Sequence, residues 1–270
     1  MPTNLTEYIT DQGTAYVESG RGEPLVLIHG VGLNKQVWEP QLNAFSNQYR
    51  VIAYDTLGHG NSPIPDEDLT LDDYFRQLVD MLDTLEIDRI NLCGHSMGAL
   101  ITIGFVLRYP KRVDRIIPMM GAFDRSPEHQ KRSLRVADIL AGPEAKTLLK
   151  STLERWFTPE DNGDIDRVEK IAQVEAWLNQ ADKSGYSRAY RVFAHNGETY
   201  VGKLGDISQP ALFITAENDP NSTPAMSTRM AAEVQQGKVH ILLNERHMGQ
   251  YLAAKKIEPI LRQFLAIPIF

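Results

Sequence analysis

The chain has 270 residues, 42% of them hydrophobic, which is enough for one large α/β core with a modest insertion. Its 28 basic and 35 acidic residues leave a formal net charge of −7, which excludes the basic footprint of a nucleic-acid or anionic-membrane binder. The single cysteine, Cys93, excludes an internal disulfide framework, no apolar run approaches the roughly 20 residues of a membrane span, and the first residues lack the basic start and apolar core of a signal peptide. A cytoplasmic protein is expected.

In chain order, Glu7 to Ser19 reads as an edge hairpin, with Asp11-Gln12-Gly13 at its turn. Pro24-Leu25-Val26-Leu27-Ile28 is a continuous apolar run, as in a strand buried on both faces, and it leads into His29-Gly30-Val31-Gly32. Tyr49 to Asp55 is the next strand. After it comes a glycine-rich turn, Thr56 to Pro63, in which His59 reads as a structural histidine bonding the backbone. Leu71 to Leu85 carries apolar residues at helical spacing, with Thr70 as N-cap and Asp72 and Asp73 in the first turn.

Ile90 to Cys93 is a short apolar strand that stops at Gly94, and Met97 to Tyr109 is apolar all round, as in a buried helix ending before Pro110. Val113 to Met120 is a further strand. From Ala122 to about Leu204 only amphipathic helical pieces occur, punctuated by Gly142-Pro143, Pro159-Glu160-Asp161-Asn162-Gly163 and Asn196-Gly197. Strands resume at Pro210 to Ala216 and Lys238 to Leu243, separated by a short helix from Pro224 to Val234 and followed by one from about Gln250 to Leu265. The alternation implies a mostly parallel, doubly wound α/β sheet of about eight strands. Residues 1–121 and 205–270 form the expected core domain, and 122–204 a helical cap that shapes a pocket and excludes water.

Ser96 stands at a strand-to-helix turn, in Gly94-His95-Ser96-Met97-Gly98. Such a turn projects a hydroxyl at the carboxyl edge of a sheet, beside N–H groups at a helix start that can stabilise an oxyanion. The glycines spare the sharp backbone a side-chain collision. The turn after the first parallel strand can offer a second N–H, so Val31 and Met97 are the expected oxyanion-hole donors. A serine hydroxyl needs a base, and the base an orienting group. Asp219 and His247 follow the last two strands at the same edge. Glu217 and Asp124 are alternative acids, His59 an alternative base, and Cys93 a small apolar residue within its strand.

With the Ser96 turn, the His29-Gly30 turn, Asp55-Thr56-Leu57-Gly58-His59-Gly60-Asn61-Ser62 and the late Asp219 and His247 all in order, the chain resembles an α/β-hydrolase across nearly its whole length. Within that superfamily it is most similar to the 3-oxoadipate enol-lactonase group. The match runs through Asp55 to Ser62, the cap run Leu153-Glu154-Arg155-Trp156-Phe157-Thr158-Pro159, and Gly185-Tyr186. Two departures stand out: Glu245-Arg246-His247-Met248 lacks the small residues that often precede the base, and Asn218 to Ser222 is unusually polar.

The resemblance implies hydrolysis of a small carboxylate-bearing ester or lactone through an acyl-enzyme on Ser96. Arg155, Trp156 and His29 are the candidate substrate contacts. Lys131, Arg132, Arg135, Arg188 and Arg191 are further cationic cap residues, most of which should face water. An amidase, an enamide hydrolase or a carbon–carbon bond hydrolase acting on a ring-cleavage product would use the same triad, and a non-catalytic binding protein on the fold is an alternative of another class. No cofactor or metal is expected, since neither His-Glu-x-x-His nor paired cysteines occur. The expected partner is a small, anionic substrate, with neither nucleic acid nor membrane, on a monomer or homodimer.

Overall fold

The structure is a computed structural model, and it describes residues 6–158, 161 and 163–269. The N-terminal Met1 to Leu5 and the Pro159, Glu160 and Asn162 part of the expected cap punctuation lie outside the described residues.

Eight strands form one sheet: β1 (Glu7–Ile9), β2 (Ala15–Ser19), β3 (Glu23–Ile28), β4 (Tyr49–Tyr54), β5 (Ile90–His95), β6 (Val113–Met119), β7 (Ala211–Ala216) and β8 (Gly237–Leu242). Their spatial order is β1-β2-β4-β3-β5-β6-β7-β8. The β1–β2 and β2–β4 pairs are antiparallel, as the edge hairpin requires, and every other pair is parallel. The apolar runs of β5 and β7 are buried at every residue, because helices cover both faces of the sheet.

The chain crosses from β3 to β4 on one side and then returns to lay β5 on the other side of β3. The carboxyl ends of β3 and β5 therefore flank the point where the winding direction changes, which is where open α/β sheets leave a crevice. Val31 and Ser96 follow those two strands.

The core helices are α1 (Glu39–Phe45), α2 (Leu71–Thr84), α3 (Met97–Arg108), α8 (Pro224–Glu233), α9 (Gly249–Leu252) and α10 (Ala254–Leu265). At the start of α2, Thr70 and Asp73 form a capping box, with the Thr70 N–H donating to the Asp73 carboxylate at 2.7 Å. The helix expected from Gln250 to Leu265 is two pieces, broken at Ala253.

Between β6 and β7 the chain inserts four helices: α4 (Pro127–Ala141), α5 (Ala145–Trp156), α6 (Ile165–Gln180) and α7 (Lys183–His195). Helices α4 and α7 pack on each other. Helix α7 also meets the core backbone to backbone, because a side chain on Gly185 would collide with the carbonyl of Gly58. One turn further on, Arg188 donates to the carbonyl of Pro65. Among the described residues no helix is long and apolar enough to cross a membrane.

Candidate active site

Ser96 joins β5 to α3 with φ 56° and ψ −112°. A non-glycine residue in that region is strained, and the surroundings must hold it there. Its N–H donates to Met119 O at 2.9 Å, so the end of β6 fixes the turn. The flanking glycines are required by close approach: a Cβ on Gly94 would strike the carbonyl of Gly98, and one on Gly98 the carbonyl of Ile28.

The imidazole of His247 lies between Ser96 and Asp219. Its Nε2 is 3.1 Å from Ser96 Oγ, and its Nδ1 is 2.7 Å from Asp219 Oδ2. The aspartate holds the proton on Nδ1, which leaves Nε2 as the acceptor facing the hydroxyl. Asp219 is itself fixed, because its Oδ1 accepts the N–H groups of Asn221 at 2.8 Å and Ser222 at 3.1 Å. Ser222 Oγ ties this loop to Met120 O at 2.6 Å. The polar run from Asn218 to Ser222 is thus the scaffold of the carboxylate.

The alternative acids lie elsewhere. Asp124 pairs with Arg229 at 2.6 Å, and Glu217 accepts the N–H of Asn244 at 2.9 Å. His59 is buried with its Nε2 accepting the Gly32 N–H at 2.9 Å, so it belongs to the turn and not to Ser96. Cys93 is buried, and burial pushes its thiol far above the usual range, so it supplies no thiolate.

Val31 lines the pocket beside Ser96 and His247. Neither its N–H nor that of Met97, the first residue of α3, donates to a protein group among the described residues. Both are free to meet a developing oxyanion.

His29 is a correction to the sequence reading. Its ring is fully buried and stands outside the pocket lining. Nε2 accepts the Thr56 N–H at 3.0 Å, and Nδ1 lies 2.8 Å from Gly30 O, so no ring nitrogen is left for a substrate. Burial pushes its pKa down to about 4, so the ring is neutral near pH 7.

Residues of the inserted helices α4, α5 and α7 line the pocket beside Ser96 and His247. Trp156 is buried with its ring 5.2 Å from that of His247. Arg155, exposed at the pocket wall, donates to Thr152 Oγ1 at 3.1 Å. A second arginine, Arg125, enters from the loop after β6 and lines the same wall, with its guanidinium 4.8 Å above the Phe193 ring. Burial lowers its pKa, with Arg132 adding to the effect. Neither arginine makes an ion pair among the described residues.

The sequence reading missed Arg125, although its place just past the end of β6 was the available signal. The other cap cations serve elsewhere: Lys131, Arg132 and Arg135 are exposed, Arg191 pairs with Asp138, and Arg188 grips Pro65.

Tyr186, Tyr190, Asn221 and Ser222 also line the pocket. The cavity itself holds about 40 Å³, room for roughly three waters. Among the described residues no group of three His, Cys, Asp or Glu side chains is arranged to hold a metal ion.

Residues 23–254 match the family described as alpha/beta hydrolase fold. The chain belongs to the α/β-hydrolase family. It is 37% identical over 252 residues to an Acinetobacter baylyi (E)-2-((N-methylformamido)methylene)succinate hydrolase, covering 93% of each chain. It is 31% identical to 3-oxoadipate enol-lactonase 2 of the same organism, covering 74% of this chain and 73% of that one. The enol-lactonase structure from Burkholderia xenovorans superposes with a TM-score of 0.86 at 24% identity, covering 97% of this chain and 100% of that one, a likeness of fold. The α/β-hydrolase family and the likeness to the enol-lactonase group expected from the Ser96 turn and its companions are therefore both found.

Proposed function

We propose that this α/β-hydrolase cleaves a small acyl compound carrying carboxylates, through an acyl-enzyme on Ser96. The observation that carries the reading is the pair Arg125 and Arg155, without carboxylate partners among the described residues, in the wall of the pocket that holds Ser96 and His247. A cation in a pocket wall without a counter-ion is a ready partner for a carboxylate, which binds it through charge-assisted hydrogen bonds.

His247 takes the Ser96 proton as the hydroxyl attacks the acyl carbon, and the N–H groups of Val31 and Met97 receive the oxyanion. Asp219 holds the imidazole tautomer and stabilises its charged form. His247 then hands its proton to the leaving nitrogen or oxygen. A water activated by the same imidazole hydrolyses the acyl-enzyme. Trp156 covers the base and limits competing water. Residues 122–204, as the cap, set which acyl group reaches Ser96.

Between an amide and a lactone, the enamide reading is supported by the 37% identical relative, whose name gives an N-methylformamido-methylene succinate as its substrate. The 31% identical enol-lactonase supports a carboxylated lactone as the second reading.

The test is a panel of p-nitrophenyl acetate, N-acylaminomethylene succinates and carboxylated enol-lactones. The carboxylated compounds should exceed the neutral ester in kcat/KM by about 100-fold, the worth of one or two charge-assisted contacts. A preference for neutral esters would overturn the anionic-substrate reading. Failure of a fluorophosphonate to label Ser96 would overturn the hydrolase mechanism and restore the binding-protein alternative.

A further inference from the structure

Val31 offers its N–H through the peptide unit it shares with Gly30. That unit is planar, so the Gly30 carbonyl and the Val31 N–H point in opposite directions. Whatever grips the carbonyl therefore aims the N–H. Gly30 O receives a hydrogen bond from His29 Nδ1 at 2.8 Å and a second from the Leu33 N–H at 3.2 Å.

The tautomer of His29 is dictated by its other side, because Nε2 accepts the Thr56 N–H and cannot carry a proton. The next peptide is held in the same way: the Gly32 N–H donates to His59 Nε2, whose Nδ1 faces Thr56 Oγ1 at 3.0 Å and Leu57 O at 3.2 Å. The two rings meet edge to face, 5.0 Å apart. Further along the loop, Asp55 accepts the Lys35 N–H at 2.8 Å and its ammonium at 2.6 Å.

We propose that His29 is a positioning residue for the oxyanion hole: its Nδ1–H, by gripping Gly30 O, orients and polarises the peptide that presents the Val31 N–H. His29 touches no substrate. It acts through the peptide, since a donor bonded at its carbonyl end is a stronger donor at its N–H end. The proposal rests on the reading of Ser96 as nucleophile. A full oxyanion donor is worth about 100- to 1,000-fold in kcat, so an intact but loosened one should lose part of that.

The experiment compares native protein, His29→Leu and His29→Gln with p-nitrophenyl acetate and with phenylboronic acid, whose tetrahedral adduct on Ser96 places an oxygen in the hole. His29→Leu should lower kcat about 10- to 100-fold with KM within about twofold, and should weaken boronate binding by the same factor. His29→Gln, which keeps an N–H donor, should recover part of both. Unchanged kcat and boronate affinity in a folded His29→Leu protein would overturn the proposal.

One measurement on the unmodified protein covers a variant that fails to fold. The ¹⁵N shifts of His29 should report a neutral ring protonated at Nδ1, and the Val31 amide proton should move downfield on boronate binding. A ring protonated at Nε2, or a Val31 amide that does not respond, would overturn the proposal. A native protein that fluorophosphonate does not label at Ser96 would instead overturn the nucleophile reading beneath it.

Discussion

Arg167 on cap helix α6 grips the carboxylate of Glu245, two residues before His247, at 2.7 Å. The carboxylate is almost wholly buried and also bonds Lys256 of α10 at 2.6 Å. Its neighbour Arg246 donates to the carbonyl of Arg155 at 3.1 Å, and His247 lies against Trp156. Three consecutive residues of the base loop thus each hold the cap, which accounts for the absence of small residues there. Arg167→Met should destabilise the protein by about 2 kcal/mol, less than a fully buried pair because Lys256 remains and Arg167 is partly exposed. Urea unfolding measures it, and an unchanged midpoint would refute the latch.

The backbone at Ser96 gives a second expectation. Its φ of 56° is strained for serine and ordinary for glycine. Ser96→Ala should abolish hydrolysis with little change in stability. Ser96→Gly should abolish it too, yet raise the unfolding free energy by about 1 kcal/mol. A melting temperature below that of Ser96→Ala would count against stored strain at this turn.

The choice of acid is testable by contrast. Asp219→Asn removes the acceptor that fixes the His247 tautomer, and kcat should fall by about 10,000-fold. Asp124→Asn breaks only a surface pair with Arg229 and should leave kcat within about twofold. The reverse ranking would transfer the role to Asp124.

The pocket arginines should act on binding. Arg125→Leu and Arg155→Leu should each raise KM for a carboxylated substrate by about 10- to 100-fold, while p-nitrophenyl acetate keeps its KM. Equal losses on the neutral ester would indicate collapse of the pocket wall instead.

Acid should weaken the fold through the buried histidines. Burial holds His29 at about 4 and, with His29 beside it, His59 at about 3, against an ordinary value of 6.5. Below pH 6.5 the unfolded chain takes up protons that the folded one refuses, so stability falls as pH falls. Each ring contributes up to about 1.4 kcal/mol per pH unit until the native state itself protonates, near pH 4 for His29 and pH 3 for His59. Unfolding free energies between pH 7 and 4.5 should show this slope, and His59→Gln should flatten it.

Ser96, Asp219 and His247 were legible because each stands just past an apolar run, and strand ends in a parallel sheet converge on one edge. Asp124 and Glu217 shared that property, and only the position of the His247 ring separates them from Asp219. Arg125 stayed hidden because its sequence position does not say whether an acidic partner neutralises it. The role of His29 depends on a tautomer set by Thr56, 27 residues away. The Glu245–Arg167 contact spans 78 residues. Helix α1 escaped notice because seven residues with Leu42 and Phe45 buried carry too little periodicity to declare themselves.

The cap is fastened to the core by two different means. On the α7 side the Gly58 and Gly185 backbones touch, a contact that tolerates no sliding. On the α6 side the ion pair of Arg167 with Glu245 is joined by the hydrogen bond from Trp177 Nε1 to Gln36 Oε1 at 2.9 Å and by the Trp177 ring, 5.4 Å from that of Tyr251. The cavity of about 40 Å³ is smaller than the acyl compound proposed above, so on that reading its wall must give way to admit it, and the Gly58–Gly185 contact marks the side with the least room to move.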